Sequence, residues 1–305
     1  MRRLWIAVFE LMLCMSVGCR RAEQVPPVDH PRLAPGVVLR DVTFRSASLN
    51  RDMNYRMLLP EKITDGEKYP VIYLLHGGGG SYLDWTNYTD VAQVVPGKFI
   101  LVMPEGDESY FVNSATRPQD KYEDYITKDL IADVQQRAPA STYRRGIAGV
   151  SMGGFGAIVL GLKHPDLYRF VGAMSPALDA ASRPFSIKRI GQWRHFRSIF
   201  GDWNGQEQRN RDPFVLARTA EAGRMPYIFF TSGDQEGLLA ANREFASLLK
   251  VRGFSYEFHQ VPGGHYWRQW SDQVEGLFKS ASEHLPGGGI AEPVRVVSKC
   301  DSPAC

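Results

Sequence analysis

The residues Gly149-Val-Ser151-Met-Gly153 have the form G-x-S-x-G. Alone the pattern is weak, because a chain with 29 glycines can produce it by chance. Its setting gives it weight. It follows the apolar stretch Ile147-Ala-Gly-Val150 and opens an apolar stretch with helical spacing. That is the context of a strained strand-to-helix turn, which projects a serine Oγ at the carboxyl end of a sheet. Glycines two before and two after let the backbone pass without a Cβ clash. Gly154 and Gly156 allow the helix to pack closely. The helix N-terminus favours developing negative charge.

A serine needs a base to become a nucleophile. The chain has seven histidines. His30 lies in the Pro-rich tether before residue 37, His76 and His164 precede or abut the wrong segments, and His195 lies in the insertion at 181–223. His259 falls within the last strand and His284 at the far end of the last helix. His265 follows Val261-Pro-Gly-Gly, a turn directly after the last strand, and a loop there returns to the top of the sheet. His265 is the expected base. A carboxylate must hold the imidazole in the right tautomer. It should lie in the loop Ser232-Gly-Asp234-Gln-Glu236-Gly, where two acids compete. Glu236, three residues past Gly233, has chain left to bend over before the next helix. Asp234 follows the strand at once and could instead cap or support the turn. Glu236 is favoured and Asp234 stays open. The order Ser151, Glu236, His265 is that of α/β-hydrolases.

Charge developing on a substrate oxygen needs two backbone N–H groups. Met152, after the nucleophile, supplies one. The glycine loop His76-Gly-Gly-Gly-Gly80 follows an apolar strand and supplies the other, assigned to Gly78. A phosphate-binding loop is disfavoured, because no G-K-[ST] follows and no G-x-G-x-x-G carries a well-placed acid. Cysteines occur only at 14, 19, 300 and 305, so the body offers no cysteine nucleophile and no cysteine-based zinc site. With no H-E-x-x-H either, no metal and no cofactor is expected.

These residues require a sheet to carry them. Segments 37–49 and 54–59 read as antiparallel strands joined by a turn at 50–52. Short apolar runs at 71–75, 99–103, 146–150, 170–174 and 227–231 read as buried strands, and 255–261 alternates like one. Helical spacing covers 125–137, 153–163, 238–251 and 266–284. Strands alternating with helices imply an α/β fold, a mostly parallel sheet flanked by helices, in one domain over 37–285. Of the 305 residues 44% are hydrophobic and 23% charged, which excludes disorder. A formal net charge of +3 does not argue for nucleic acid as a partner. No run of 18 apolar residues occurs in the body, which excludes a polytopic membrane protein.

Residues 181–223 break the alternation. Between Arg183 and Arg211 lie seven Lys/Arg and two acids, with Trp193, Phe196, Phe200 and Trp203 interleaved. As a lid or recognition surface this insertion would suit an anionic or sugar-like substrate. The plainer reading, a solvated excursion whose aromatics pin it to the body, is preferred. At the N-terminus Arg2 and Arg3 precede an apolar segment that ends in small residues, the layout of a secretory signal over 1–18. Cys19 after Val17-Gly18 leaves lipidation and plain cleavage both open. Residues 19–36 read as a Pro-rich tether and 286–305 as a tail, in which Cys300 and Cys305 could close a small ring. The expected location is outside the cytoplasm, with membrane attachment only through a lipid on Cys19.

Four motifs in order now carry a resemblance: Tyr73-Leu-Leu-His-Gly-Gly-Gly-Gly-Ser-Tyr-Leu-Asp-Trp85, Ala148-Gly-Val-Ser-Met-Gly-Gly-Phe-Gly-Ala157, the loop 233–239 with Asn242, and Gly263-Gly-His-Tyr-Trp-Arg-Gln-Trp270. Over about residues 37–285 the chain resembles the putative esterase family of α/β-hydrolases, which includes feruloyl and acetyl-xylan esterases, S-formylglutathione hydrolases and secreted mycolyltransferases. The resemblance implies the acid at Glu236 and the oxyanion role of Gly78 and Met152. Most relatives carry Asp at the acid position and the mycolyltransferases carry Glu, which keeps Asp234 as an alternative. The formylglutathione hydrolases are cytosolic, so the export signal points away from that branch. The leading expectation is an exported serine carboxylesterase acting on carbohydrate or small acyl esters through an acyl-Ser151 intermediate. The alternatives are an acyltransferase that uses a sugar hydroxyl in place of water, and an inactive binding protein on the same scaffold.

Overall fold

The computed structural model describes residues 28–285 except 97, 185, 186, 188 and 189. The expected signal segment, residues 19–27 of the tether and the tail at 286–305 lie outside the described residues. Eight strands form one sheet: β1 Val37–Ser46, β2 Arg51–Pro60, β3 Tyr69–Leu75, β4 Ile100–Pro104, β5 Ala140–Val150, β6 Phe170–Met174, β7 Tyr227–Gly233 and β8 Tyr256–Val261. Their spatial order is β1-β2-β4-β3-β5-β6-β7-β8. β1 pairs antiparallel with β2, and β2 antiparallel with β4; every other pairing is parallel. This is the α/β-hydrolase arrangement expected from the alternation of strands and helices. The chain runs from β3 outward to β4 on one side and then returns to β5 on the other. That reversal opens a crevice at the carboxyl ends of β3 and β5, where ligands of open α/β sheets bind. His76–Gly80 leaves β3 there, and Ser151 leaves β5 there.

Helices cover both faces. On one lie α2 (residues 122–137), α3 (Met152–Lys163), α5 (Pro213–Thr219) and α6 (Leu239–Arg252), with Ile126, Leu130, Ile158, Phe214 and Phe245 in a common core. On the other lie α1 (Asp84–Tyr88), α7 (Trp267–Ser271) and α8 (Val274–His284), with Trp85, Trp270, Leu277 and Phe278. The central strands β3 and β4 are buried on both sides, which is why they read as unbroken apolar runs, whereas the edge strand β8 is partly exposed.

The structure corrects several boundaries. The first turn lies at 47–50, so β2 begins at Arg51. β5 begins six residues earlier than its apolar run, because Ala140 pairs with Tyr69 across a register shift and the polar stretch between is carried along. The expected final helix divides into α7 and α8. Trp270, Val274, Leu277, Phe278 and Ala281 are all buried and keep helical spacing across the break, so periodicity could not reveal it. The insertion contains α4 (Ile190–Phe200), and its Phe196, Ile199 and Phe200 pack with Val112, Phe155 and Val159. Two of its four aromatics therefore do pin it to the body, whereas Trp203 stays exposed. Its described cations are largely matched locally, Arg183 by Asp179, Arg197 by Asp202 and Arg211 by Glu207.

One part-buried cluster around the Glu123 carboxylate bears on the elbow helix. Glu123, in the first turn of α2, meets Lys163 Nζ at 2.5 Å and His164 Nε2 at 2.8 Å, at the end of α3 opposite Ser151. Burial pushes the Glu123 carboxyl up, but His164 and Lys163 outweigh it and hold it down at about 2. A carboxylate depressed in the folded state stabilises it at pH above the unfolded value, and that stability is lost as the pH falls through the folded value. At about 1.4 kcal/mol per unit, Glu123→Gln should cost roughly 3–4 kcal/mol at pH 7. The deficit should shrink between about pH 4.5 and 2. Urea unfolding of both proteins across that range checks it; a deficit independent of pH would contradict the assignment.

Candidate active site

Ser151 sits at the end of β5 with φ 52° and ψ −111°, in the left-handed half of backbone space. A non-glycine residue there is strained by about 1–3 kcal/mol and persists only where its surroundings over-determine it. They do here. Ser151 N–H donates to Met174 O at 2.9 Å, and its carbonyl accepts from Ala177 N at 3.1 Å. A Cβ on Gly149 would lie 2.3 Å from the Gly153 carbonyl carbon, and one on Gly153 would lie 2.4 Å from Leu75 O. Only glycine at both places lets the helix start so close to β3.

The acid and base arrive on two loops that touch through their backbones. Gln235 N–H donates to Gly263 O at 2.9 Å, and a Cβ on Gly233 would come within 2.5 Å of that oxygen. Asp234 Oδ1 accepts from Gly263 N–H at 2.9 Å, and Asp234 N–H donates to Val261 O. Asp234 thus fastens the two loops together and does not reach the imidazole. Glu236 does: its Oε2 lies 2.9 Å from His265 Nδ1. His265 Nε2 in turn lies 2.8 Å from Ser151 Oγ. A carboxylate only accepts, so Nδ1 carries the proton and Nε2 is left to accept from the serine hydroxyl. Glu236 Oε1 accepts from Ser232 Oγ at 2.6 Å and Gly233 N–H at 2.8 Å. Burial pushes the Glu236 carboxyl up; the bonds from His265, Ser232, Gly233 and Ser175 more than offset this and hold it below the usual range. The side chain is 1% exposed against 36% for His265. The relay therefore runs from a buried anion to a base that solvent can reach.

Further groups support the histidine. Trp270 meets the His265 ring edge-on at 5.0 Å, and its Nε1–H donates to Ser175 Oγ at 3.2 Å. Asn242 Nδ2 donates to Pro176 O at 3.3 Å and Ser232 Oγ at 3.2 Å. Ser175 was not legible beforehand, since nothing near it in sequence marks it. Ser232 stood in the acid loop, but its role depends on where Glu236 folds back.

The glycine loop lies against the serine. A Cβ on Gly77 would sit 3.7 Å from Ser151 Cβ. His76, set aside as a base, is fully buried: its Nδ1–H donates to Gly77 O at 2.8 Å and its Nε2 accepts from Gly106 N–H at 3.0 Å. Gly80 N–H closes the turn onto Gly77 O at 3.1 Å. Gly79 N–H donates to Glu108 Oε1, a partner the sequence did not suggest. Gly78 is held between these fixed points, and Met152, as the first residue of α3, has no intrahelical acceptor for its N–H. Glu108 and its neighbours Asp107 and Ser109 line a cavity of about 390 Å³ beside this loop. A second cavity of about 500 Å³ between β8 and α8 includes none of Ser151, Glu236 and His265. Among the described residues, no cluster of three or more His, Cys, Asp or Glu has metal-binding geometry.

Comparison with known proteins places the chain. It is 25% identical over 264 residues to an acetyl esterase of Caldicellulosiruptor saccharolyticus, covering 81% of this chain and 99% of that protein. The fluorophosphonate-binding serine hydrolase F of Staphylococcus aureus superposes with a TM-score of 0.70 at 23% identity, over 82% of this chain and 99% of that one. An S-formylglutathione hydrolase from Agrobacterium tumefaciens gives 0.72 at 18% identity, over 84% and 98%. At such identities these two likenesses establish the fold alone. The model of the family described as "Putative esterase" matches residues 46–279. The chain accordingly belongs to that family and is an enzyme, an esterase on the α/β-hydrolase fold.

Proposed function

We propose that the protein is an exported carboxylesterase that works through an acyl-Ser151 intermediate, with His265 as base and then acid and Glu236 as its carboxylate. The observation that carries this reading is the unbroken pair of contacts, 2.8 Å from Ser151 Oγ to His265 Nε2 and 2.9 Å from His265 Nδ1 to Glu236 Oε2. Ser151 Oγ attacks the ester carbonyl as its proton passes to His265 Nε2. The imidazolium is stabilised by the buried Glu236 carboxylate. The oxyanion takes hydrogen bonds from the N–H groups of Met152 and Gly78 and lies near the positive end of α3. His265 then protonates the departing alcohol, and water deprotonated by the same ring releases the acid. Exposure of the His265 side chain supports water as the second nucleophile. The acetyl esterase relative supports a small acyl group.

Ser151→Ala should lose hydrolysis of 4-nitrophenyl acetate by several orders of magnitude and lose labelling by a fluorophosphonate, with the fold intact by circular dichroism. Turnover above about a hundredth of the wild type would count against a serine mechanism. Supplying a sugar acceptor and analysing products separates hydrolysis from transfer: free acid is expected, and accumulation of acyl sugar would reassign the reaction.

The two acids should differ sharply. Glu236→Gln removes the charge that balances the imidazolium and should slow turnover by about a thousandfold or more. Asp234→Asn loses only a brace between loops and should cost about tenfold or less. The reverse ranking would move the acid role to Asp234.

Export rests on the arginine-led apolar segment at 1–18. Fractionation of cells making the full chain should place the shortened mature protein outside the cytoplasm, and full-length chain in the cytosol would refute this. If Cys19 carries lipid, Cys19→Ala should move the protein from the membrane to the soluble fraction.

A further inference from the structure

We infer that Ser175 is a positioning residue of this enzyme: its hydroxyl ties Trp270, beside the base, to the Glu236 carboxylate, and through that acid it sets how strongly His265 takes the serine proton. This rests on the esterase reading above. Ser175 is the first residue after β6. Met174 O, just before it, accepts from Ser151 N–H at 2.9 Å, and Ala177 N–H, two residues on, donates to Ser151 O at 3.1 Å. Pro176 packs close to α3, where a Cβ on Gly154 would lie 3.0 Å from Pro176 Cβ. Pro176 O accepts from Asn242 Nδ2, which also donates to Ser232 Oγ, and Ser232 in turn donates to Glu236. Residues 174–177 therefore bracket the nucleophile on one side and abut the pocket of the acid on the other.

The hydroxyl of Ser175 joins the remaining parts. The residue is fully buried. A hydroxyl has one hydrogen to give and two lone pairs to offer. Trp270 Nε1–H, a donor only, takes up a lone pair at 3.2 Å. The hydroxyl hydrogen is left for an acceptor, and Glu236, which draws a side-chain bond from Ser175, is that acceptor. Trp270 also meets the His265 ring edge-on at 5.0 Å. One buried side chain thus touches the acid and the shoulder of the base, while its backbone neighbours hold the nucleophile. The conformation is a strained one. Ser175 has φ 48°, in the left-handed region that glycine adopts freely and an L side chain does not. Its N–H is held to Thr231 O at 3.0 Å. Glycine would serve the backbone better here, so what serine adds at this position is the hydroxyl.

The effect on the base follows from the donors around the acid. A carboxylate offers about four lone-pair sites. Glu236 meets His265 Nδ1–H, Ser232 Oγ–H, Gly233 N–H and the Ser175 hydroxyl. Each donor takes a share of the negative charge, and what remains on the oxygens stabilises the imidazolium. Without the Ser175 hydroxyl that charge turns more strongly toward His265, and the imidazolium is favoured. The other titratable groups on the elements around the ring are Asp234 on the acid loop, bonded to Gly263 N–H, and Tyr266 next to the histidine. Arg268 on α7, Asp272 just after it, and Glu108, bonded to Gly79 N–H on the glycine-loop side, complete the set. Among the described residues Glu236 is the acid that bonds the imidazole, so a change at Ser175 reaches His265 through it.

Two variants separate the hydroxyl from the fold. Ser175→Ala removes the hydroxyl and keeps the strained backbone; Ser175→Gly removes the hydroxyl and relieves the backbone. A purely structural role predicts that Ser175→Gly is close to wild type. With 4-nitrophenyl acetate, both variants should instead lower kcat about tenfold and leave KM within about twofold. Both should also move the acid limb of the kcat/KM profile upward by about 0.5 in pH, because the imidazolium persists to higher pH. In a Glu236→Gln background the same Ser175→Gly change should alter kcat by less than about twofold, since the hydroxyl acts through the acid. An acid limb in Ser175→Gly that stays in place or moves down overturns the role of Ser175, as does an equal loss of kcat in the Glu236→Gln background. Loss of the fold in Ser175→Gly by circular dichroism would make the residue structural and overturns it too. All three outcomes leave the esterase reading standing. A wild type that neither hydrolyses the ester nor takes up a fluorophosphonate defeats that reading itself.

Discussion

The close approach of α3 to β3 is the constraint on which the rest of the site depends. Helix α3 begins so near the end of β3 that Gly149, Gly153 and the Leu75 carbonyl leave no room for a Cβ. That contact forces Ser151 into a left-handed conformation and lifts its hydroxyl out of the sheet. It also brings the glycine loop at the end of β3 against the serine, with Gly77 nearest. Nucleophile and loop are therefore placed by one packing decision. The strain is held by Met174 at the end of β6, by Ala177 in the loop that follows, and by the long burial of α3 in the core.

The base is placed by a different device. His265 lies on a loop beyond the last strand, and little of it is buried by its own neighbours. What fixes it is a set of polar contacts from outside: Asp234 to Gly263, Gln235 to Gly263, Glu236 to the ring, and Trp270 at the ring edge. The two acids of the β7 loop share the work. One fastens backbone to backbone, and the other delivers its charge to the imidazole. The length of the glutamate side chain is used, because its second oxygen must also reach Ser232 and the Gly233 amide.

The glycine loop is held from its far side by groups that have nothing to do with the triad. His76 ties Gly77 to Gly106, and Glu108 ties Gly79 to the strained turn at 107–111. The insertion rests on that turn through Tyr110, whose ring meets Phe196 and Phe200 edge-on. A change in the insertion can thus reach the glycine loop through Tyr110 and Glu108 without touching Ser151.

Much of this was legible in the residues alone. The buried strands announce themselves as short apolar runs, because a parallel strand covered on both faces has no polar side to show. The serine turn is readable because its steric demand can be met only by glycine at fixed offsets. The candidate base and its two possible acids are readable from their places after the last two strands. The sequence favoured Glu236 but left Asp234 open, since both sit in one loop and the outcome depends on which side chain meets a histidine 29 residues away. It could not divide the last helix, because one apolar face continues through the break. Nor could it reveal Ser175, Glu108 or the cavity wall, whose members come from segments as distant as Arg51, Tyr122 and His195. Local backbone geometry is written in neighbouring residues, whereas the partners of a polar side chain are set by which loops the sheet order brings together.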